Sequence, residues 1–141
     1  MIPIFFVYGT LRPGCNNAMQ RLLQRRAAYI GRARTSGALY RVHPNYPGLV
    51  LNTGANRAGV LGDDEQVVGD VYRITDSALI HKLDEYEGCA RHCPRPHEYV
   101  RQQVFVRLDA SSECVEAWTY VYQRNVQRFR RISSGDFLNQ G

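Results

Sequence analysis

Lysine is almost missing from this chain: Lys82 stands alone among 18 basic residues, and arginine supplies the rest. With so little lysine, no glycine turn here carries the phosphate-gripping lysine of a P-loop. Long apolar runs are missing too. No stretch approaches the roughly 18 residues that would cross a bilayer. Met1 to Val7 is too short for the core of a secretory leader and has no basic flank. A soluble, cytoplasmic protein with no membrane partner is expected, and its four cysteines, Cys15, Cys89, Cys93 and Cys114, are expected to stay reduced. There is no internal repeat and no low-complexity tract. No serine, histidine and aspartate order suggests a hydrolytic triad.

What is present fits one globular domain over residues 1–141. At 141 residues with 44% hydrophobic and 22% charged side chains, the chain can bury a core without disulfide or metal staples. The net charge of +5 has one dense source, the run from Arg124 to Arg131. A nucleic-acid surface would spread basic residues along a stripe with aromatics between them. The pattern instead suggests a solvated basic surface that favours anionic small molecules, and no nucleic-acid partner is expected.

Local patterning gives the element order. Pro3 to Tyr8 is a continuous apolar and aromatic run ended by Gly9, which reads as a buried strand. Asn16 and Asn17 can cap a helix carrying Met19, Leu22 and Leu23 to about Arg26. Ala28 to Val42 reads as a strand bent or bulged at Gly31 or Gly37. Pro44 to Gly48 is turn chemistry, Leu49 to Leu51 resumes a strand, and Asn52 to Asp64 is loop. Val67 to Ile74 is a further strand. Thr75-Asp76-Ser77 then supplies an N-cap for a helix running to about Glu87, and Tyr99 to Leu108 and Val115 to Tyr122 form a hairpin. Many strands with two helices indicate an α+β domain on a curled sheet or small mixed β-barrel.

Three segments could carry chemistry. On the helix from Asp76, Leu79, Ile80, Leu83 and Tyr86 share a stripe at 100° per residue, and Glu87 falls within it while Asp84 and Glu85 point elsewhere. A core-facing carboxylate at a helix C-terminus meets desolvation and the negative end of the dipole, which raise its pKa into the range useful for proton transfer. The other reading is that the helix stops before Glu87, with Gly88 as the residue after the cap, and the side chain turns into water. In Tyr8-Gly9-Thr10-Leu11-Arg12-Pro13-Gly14, successive amides before a helix can hold a carboxylate or phosphate, or form a plain turn. Cys89, His92, Cys93 and His97 offer soft ligands, but four within nine residues, broken by Pro94 and Pro96, are sterically tight for a tetrahedral shell, so a metal-free loop is expected.

Seven motifs recur in order: Phe6-Val7-Tyr8-Gly9-Thr10-Leu11, Tyr46-Pro47-Gly48-Leu49, Gly69-Asp70-Val71-Tyr72, Leu83-Asp84-Glu85-Tyr86-Glu87-Gly88, Tyr99-Val100-Arg101, Trp118 with Tyr120 and Tyr122, and Ser134-Gly135-Asp136-Phe137. As an ordered set spanning nearly the whole chain, they resemble the gamma-glutamylcyclotransferase-like family. The resemblance implies a small mixed barrel with flanking helices and a substrate cradle at Tyr8, Gly9, Thr10 and Leu11. It implies one catalytic glutamate, matching Glu87, and cleavage of a γ-glutamyl amide to 5-oxoproline and a free amine, with neither metal nor cofactor. Tyr120 or Tyr122 is a candidate for the pocket wall, although a strand tyrosine is more often core. The chain departs from the pattern in its Cys-, His- and Pro-containing segment before Tyr99 and in Phe137, where tryptophan is frequent. A binding or regulatory domain that keeps the fold without turnover is the alternative function.

Overall fold

The computed structural model describes residues 3–51 and 65–139. The loop expected over 52–64 lies outside the described residues. Seven strands and two helices follow in the order β1 Ile4–Val7, α1 Ala18–Arg26, β2 Ala28–His43, β3 Tyr46–Leu51, β4 Gln66–Arg73, α2 Ser77–Tyr86, β5 Tyr99–Leu108, β6 Cys114–Tyr122 and β7 Arg130–Arg131. Strand β2 pairs with β4, β4 with β1, β1 with β6, β6 with β5, and β5 with β2 again, which closes a five-stranded barrel. All these pairings are antiparallel except β1 with β6, where Phe5 lies opposite Trp118 in parallel. The barrel is therefore mixed, as expected.

Strand β1 sits at the centre, which explains its unbroken hydrophobicity. Successive side chains point to opposite faces, and both faces are buried. Phe6 and Tyr8 join one core cluster with Leu39, Val67, Val71 and Val106. Phe5 and Val7 join the other, where Leu23 of α1 and Leu79 and Leu83 of α2 pack. The 16-residue β2 is long enough to serve two sheets. Ala28 to Ser36 run along β4 with a register shift between Tyr29 and Gly31, while Gly37 to His43 run along β3. The extra, unpaired residue of the bulge is Ile30, next to Gly31.

The segment read as a turn from Pro44 to Gly48 is shorter than that, because β3 starts at Tyr46. Pro47 is accommodated inside β3, and its carbonyl accepts the Tyr99 hydroxyl at 2.6 Å. The basic run near the C-terminus is partly structural. Arg130 and Arg131 form β7 against Tyr40 and Arg41, and Arg131 pairs with Glu65 at 2.6 Å.

The helix ends follow local rules. Asn17 Oδ1 accepts the Gln20 amide at 2.8 Å, and Asp76 Oδ1 accepts the amides of Ala78 and Leu79. At the far end of α2, Gly88 adopts φ +77, its amide reaches the Glu85 carbonyl, and the Cys89 amide reaches that of Asp84. That pair of bonds is a Schellman closure, and its left-handed residue is a glycine because a Cβ would strain there.

Candidate active site

The turn after β1, the C-terminus of α2 and the residues flanking β3 and β5 surround a cavity of about 370 Å3. Tyr8, Gly9, Thr10 and Leu11 form one wall. Glu87, Glu98, Tyr46, Pro47, Tyr99 and Tyr120 are among the residues that complete it. Six residues singled out from the sequence thus meet at one cavity, whereas Tyr122 packs in the core.

The loop is fixed from below. Arg12 is buried, and its Nε and Nη1 donate to Asp70 Oδ2 at 2.8 Å and Asp136 Oδ1 at 2.5 Å. Tyr29 adds a 2.6 Å hydrogen bond to Asp70, and Arg32 reaches Asp136 at 3.3 Å. Asp136 owes its position to Gly135, whose φ of +69 and contact with β4 exclude a side chain, since a Cβ would lie 2.0 Å from the Gln66 carbonyl oxygen. Asn17, while capping α1, also donates from Nδ2 to the Thr10 carbonyl at 2.8 Å. The loop's carbonyls are taken up in this way: Gly9 accepts the Arg12 amide at 3.1 Å. Within the described residues, no hydrogen bond occupies the amides of Gly9, Thr10 and Leu11. Three consecutive unpaired donors at a cavity wall are of the kind that can hold an anion.

Glu87 is the C-cap of α2 and keeps helical backbone angles, φ −84 and ψ −4. Helical geometry therefore carries its side chain along the stripe of Leu79 and Leu83 instead of out into water. The residue is half-buried, and the carboxyl end is the enclosed part. Its pKa is pushed up from 4.5 to about 8, by burial first, then by the charges of Glu98 and Asp84. Neighbouring carboxylates thus add to the burial that the sequence led one to expect.

One expectation for α2 needs correction. Tyr86 lies on the predicted stripe but is 46% exposed, because the last turn overhangs the cavity instead of the core; its hydroxyl pairs with Thr10 Oγ1 at 3.0 Å. Asp84, expected off the stripe, is half-buried. It takes a two-pronged ion pair from Arg101, at 2.9 and 3.2 Å, and accepts the Tyr120 hydroxyl at 2.6 Å. The guanidinium of Arg101 lies 4.6 Å from the ring centre of Trp118.

The tyrosines at the wall have committed hydroxyls. Tyr8 donates to the Tyr120 carbonyl at 2.6 Å and accepts the Leu49 amide at 3.2 Å. Burial, with Glu87 next in size, holds its phenol well above the usual range. Tyr120 is likewise raised, by burial and its bond to Asp84. Both lend the cavity ring surface rather than free hydroxyls.

Glu98 escaped the sequence reading. It precedes β5 with no periodicity or motif to mark it, and only the fold brings it beside Glu87. The Cys and His segment is dispersed. Cys89 lines a separate cavity of about 290 Å3 with His97 and Trp118, where burial pushes its thiol up to about 11. His92 lies near Glu85 at 3.3 Å. Among the described residues no three His, Cys, Asp or Glu side chains gather to hold a metal ion, and no helix is long and apolar enough to cross a membrane.

The closed mixed barrel thus carries one cavity lined both by the Gly9–Leu11 turn and by a carboxyl of raised pKa. The chain belongs to the family described as Gamma-glutamyl cyclotransferase, AIG2-like, whose family model matches residues 5–139. It is similar to the gamma-L-glutamyl-butirosin B gamma-glutamyl cyclotransferase of Niallia circulans, 29% identical over 126 residues, which cover 88% of this chain and 69% of that one. The gamma-glutamylcyclotransferase family protein YtfP of Escherichia coli K12 is 34% identical over 96 residues, covering 68% and 64%. Among solved structures, YkqA of Bacillus subtilis superposes with a TM-score of 0.66 at 32% identity, over 97% of this chain and 40% of YkqA. The matches therefore span about two-thirds of the two sequence relatives and two-fifths of YkqA.

Proposed function

We propose that this protein cleaves γ-glutamyl amides by attack of the substrate's own α-amine on its γ-carbonyl, releasing 5-oxoproline and a free amine, with Glu87 as general acid and base. The observation that carries the reading is Glu87 itself, a carboxyl raised to about 8 in a cavity also lined by the Gly9–Leu11 turn.

The nucleophile is tethered, so the reaction gains the advantage of an intramolecular ring closure. The α-carboxylate sits on the amides of Gly9, Thr10 and Leu11. Glu87, as carboxylate, takes a proton from the α-ammonium, and the free amine forms the new C–N bond to the γ-carbon. The amide C–N bond breaks as Glu87 returns a proton to the leaving nitrogen, and Glu87 passes a second proton from the new ring nitrogen to the freed amine. Of the three protons on the original ammonium, one remains on the lactam nitrogen and two end on the departing amine, which leaves as an ammonium. Glu87 finishes as it began. A single carboxyl titrating near the working pH suffices for both transfers.

The test is incubation with a panel of γ-glutamyl amides, following 5-oxoproline and free amine together. Equimolar release of both, lost in Glu87→Gln, supports the reading. Saturable binding without release from any member assigns the protein to the alternative, a non-catalytic binding or regulatory domain.

A further inference from the structure

Two residues that bracket Glu87 on the chain are both tied to Arg101 of β5. Asp84, one turn earlier on α2, takes both prongs of the guanidinium, and the two side chains are only 20% and 17% exposed. Cys89, two residues after Glu87, has its sulfur facing the Arg101 main-chain amide. One residue of the sheet therefore holds the helix end on either side of Glu87.

Arg101 is itself held. It lies opposite Tyr120 in the β5–β6 ladder, and these cross-strand neighbours donate to the same Asp84 oxygen, Oδ1, from Nε at 2.9 Å and from the hydroxyl at 2.6 Å. Its guanidinium also lies over the ring of Trp118, which is two residues before Tyr120 and so on the same face of β6. A flat cation with a ring beneath it and a carboxylate at its edge has little freedom. Tyr120 lines the active-site cavity and Arg101 does not. The Schellman bonds at Gly88 run within residues 84–89, so they set the shape of the turn and not its place against β5 and β6.

We propose that Arg101 is a positioning residue for Glu87: through Asp84 and Cys89 it fixes the last turn of α2 on the β5–β6 hairpin and so sets where the Glu87 carboxyl enters the cavity. This inference rests on the acid and base role proposed above. A carboxyl that takes a proton from one substrate nitrogen and returns it to another needs a fixed place between them, and small displacements at such a site are costly.

Glu87 is faced by Asp84 from its own helix, Glu98 and Tyr99 from the start of β5, Tyr8 after β1, Tyr120 from β6 and Cys89 from the segment after α2. Glu98 is held in turn by the Tyr46 hydroxyl, 3.2 Å from one of its oxygens and 3.4 Å from the other. Burial comes first among the causes that raise Glu87, which gives the test a sign. If Arg101 places the turn, Arg101→Gln lets water reach Glu87, and its titration midpoint falls from about 8 toward 4.5. If Arg101 acted only as a nearby positive charge, its removal would raise the midpoint.

Carbon-13 NMR of glutamate-labelled protein, with the Glu87 signal assigned by its loss in Glu87→Gln, reads that midpoint without substrate. A lowered midpoint in Arg101→Gln supports the proposal, and a raised or unchanged one overturns it. Arg101→Lys keeps the charge but loses the fork, so it should lower the midpoint too, and it decides the matter if the glutamine variant fails to fold. These results stand even if no γ-glutamyl amide is cleaved, in which case only the cyclotransferase reading falls. In turnover, Arg101→Gln should lose about 10-fold or more in kcat. Its affinity for a glutaryl amide, which lacks the α-amine and cannot cyclise, should persist, because Arg12 supports the Gly9 to Leu11 amides separately. Lost affinity with kcat retained overturns the proposal.

Discussion

The Tyr8 hydroxyl donates to the main-chain carbonyl of Tyr120 at 2.6 Å, joining residues 112 positions apart. This bond ties the end of β1 to the wall formed by β6, and it accepts the Leu49 amide on the same oxygen. The cradle loop thus leaves the barrel from a point fixed on both sides, and its amides are positioned before any ligand arrives. Preorganised donors of this kind stabilise developing charge without reorganisation at the moment of reaction.

Glu87→Gln should slow the chemical step by about 100-fold or more while binding of a non-cyclising glutaryl amide persists. Glu85→Gln is the control: that residue is exposed, and its carboxylate faces His81 and His92, so turnover should stay near wild type. The two variants also separate in their pH dependence. Folded Glu87 holds its proton up to about 8 against 4.5 ordinarily, so the folded state binds the extra proton between those values and stability falls as pH rises through that window. Urea unfolding at several pH values should show the decline in wild type and Glu85→Gln and a flatter profile in Glu87→Gln. Matching activity in the two variants would remove Glu87 from the mechanism.

Arg12→Ala should destabilise the fold by roughly 3–5 kcal/mol, because it strands Asp70 and Asp136 as buried, uncompensated charges. Asp136→Asn should be milder, since a neutral amide still fills the space and accepts from Arg12. Chemical denaturation compares them. An Arg12→Ala variant as stable as wild type would mean that the network does not support the loop.

Gly9→Ala should impair turnover more than Thr10→Ala. A Cβ at Gly9 would fall 2.8 and 2.9 Å from the Pro47 ring, forcing the cradle and β3 apart. Thr10→Ala removes only the exposed hydroxyl contact with Tyr86 and leaves the amide in place. Thermal unfolding run beside kinetics distinguishes a moved loop from a lost fold, and equal kinetics for the two variants would reduce the loop to a turn.

Elemental analysis of protein purified without chelator should find no stoichiometric zinc. Cys89 is turned into a cavity where burial keeps its thiol protonated to about pH 11, which disfavours the thiolate a metal requires. Stoichiometric zinc that disappears on replacing Cys89 and Cys93 together would refute this.

Much of the barrel was legible in the residues because strands and helix caps follow local rules. The apolar run of β1, the capping of α1 by Asn17 and of α2 by Asp76, and the bulge next to Gly31 depend on neighbours a few positions away. Glu87 was legible for the same reason: its direction is set by helical periodicity, and Gly88 ends the helix one residue too late to turn it away. Tyr86 shares that periodicity yet is exposed, because whether a stripe meets core or cavity depends on what lies opposite. The barrel closure of β5 onto β2 and the burial of Arg12 between Asp70 and Asp136 join distant segments, and no local pattern encodes them. Glu98 belongs to this second class. The chain alone set its charge, but its place beside Glu87 and under the Tyr46 hydroxyl was decided by tertiary packing, since electrostatic coupling follows distance through space and not separation along the sequence.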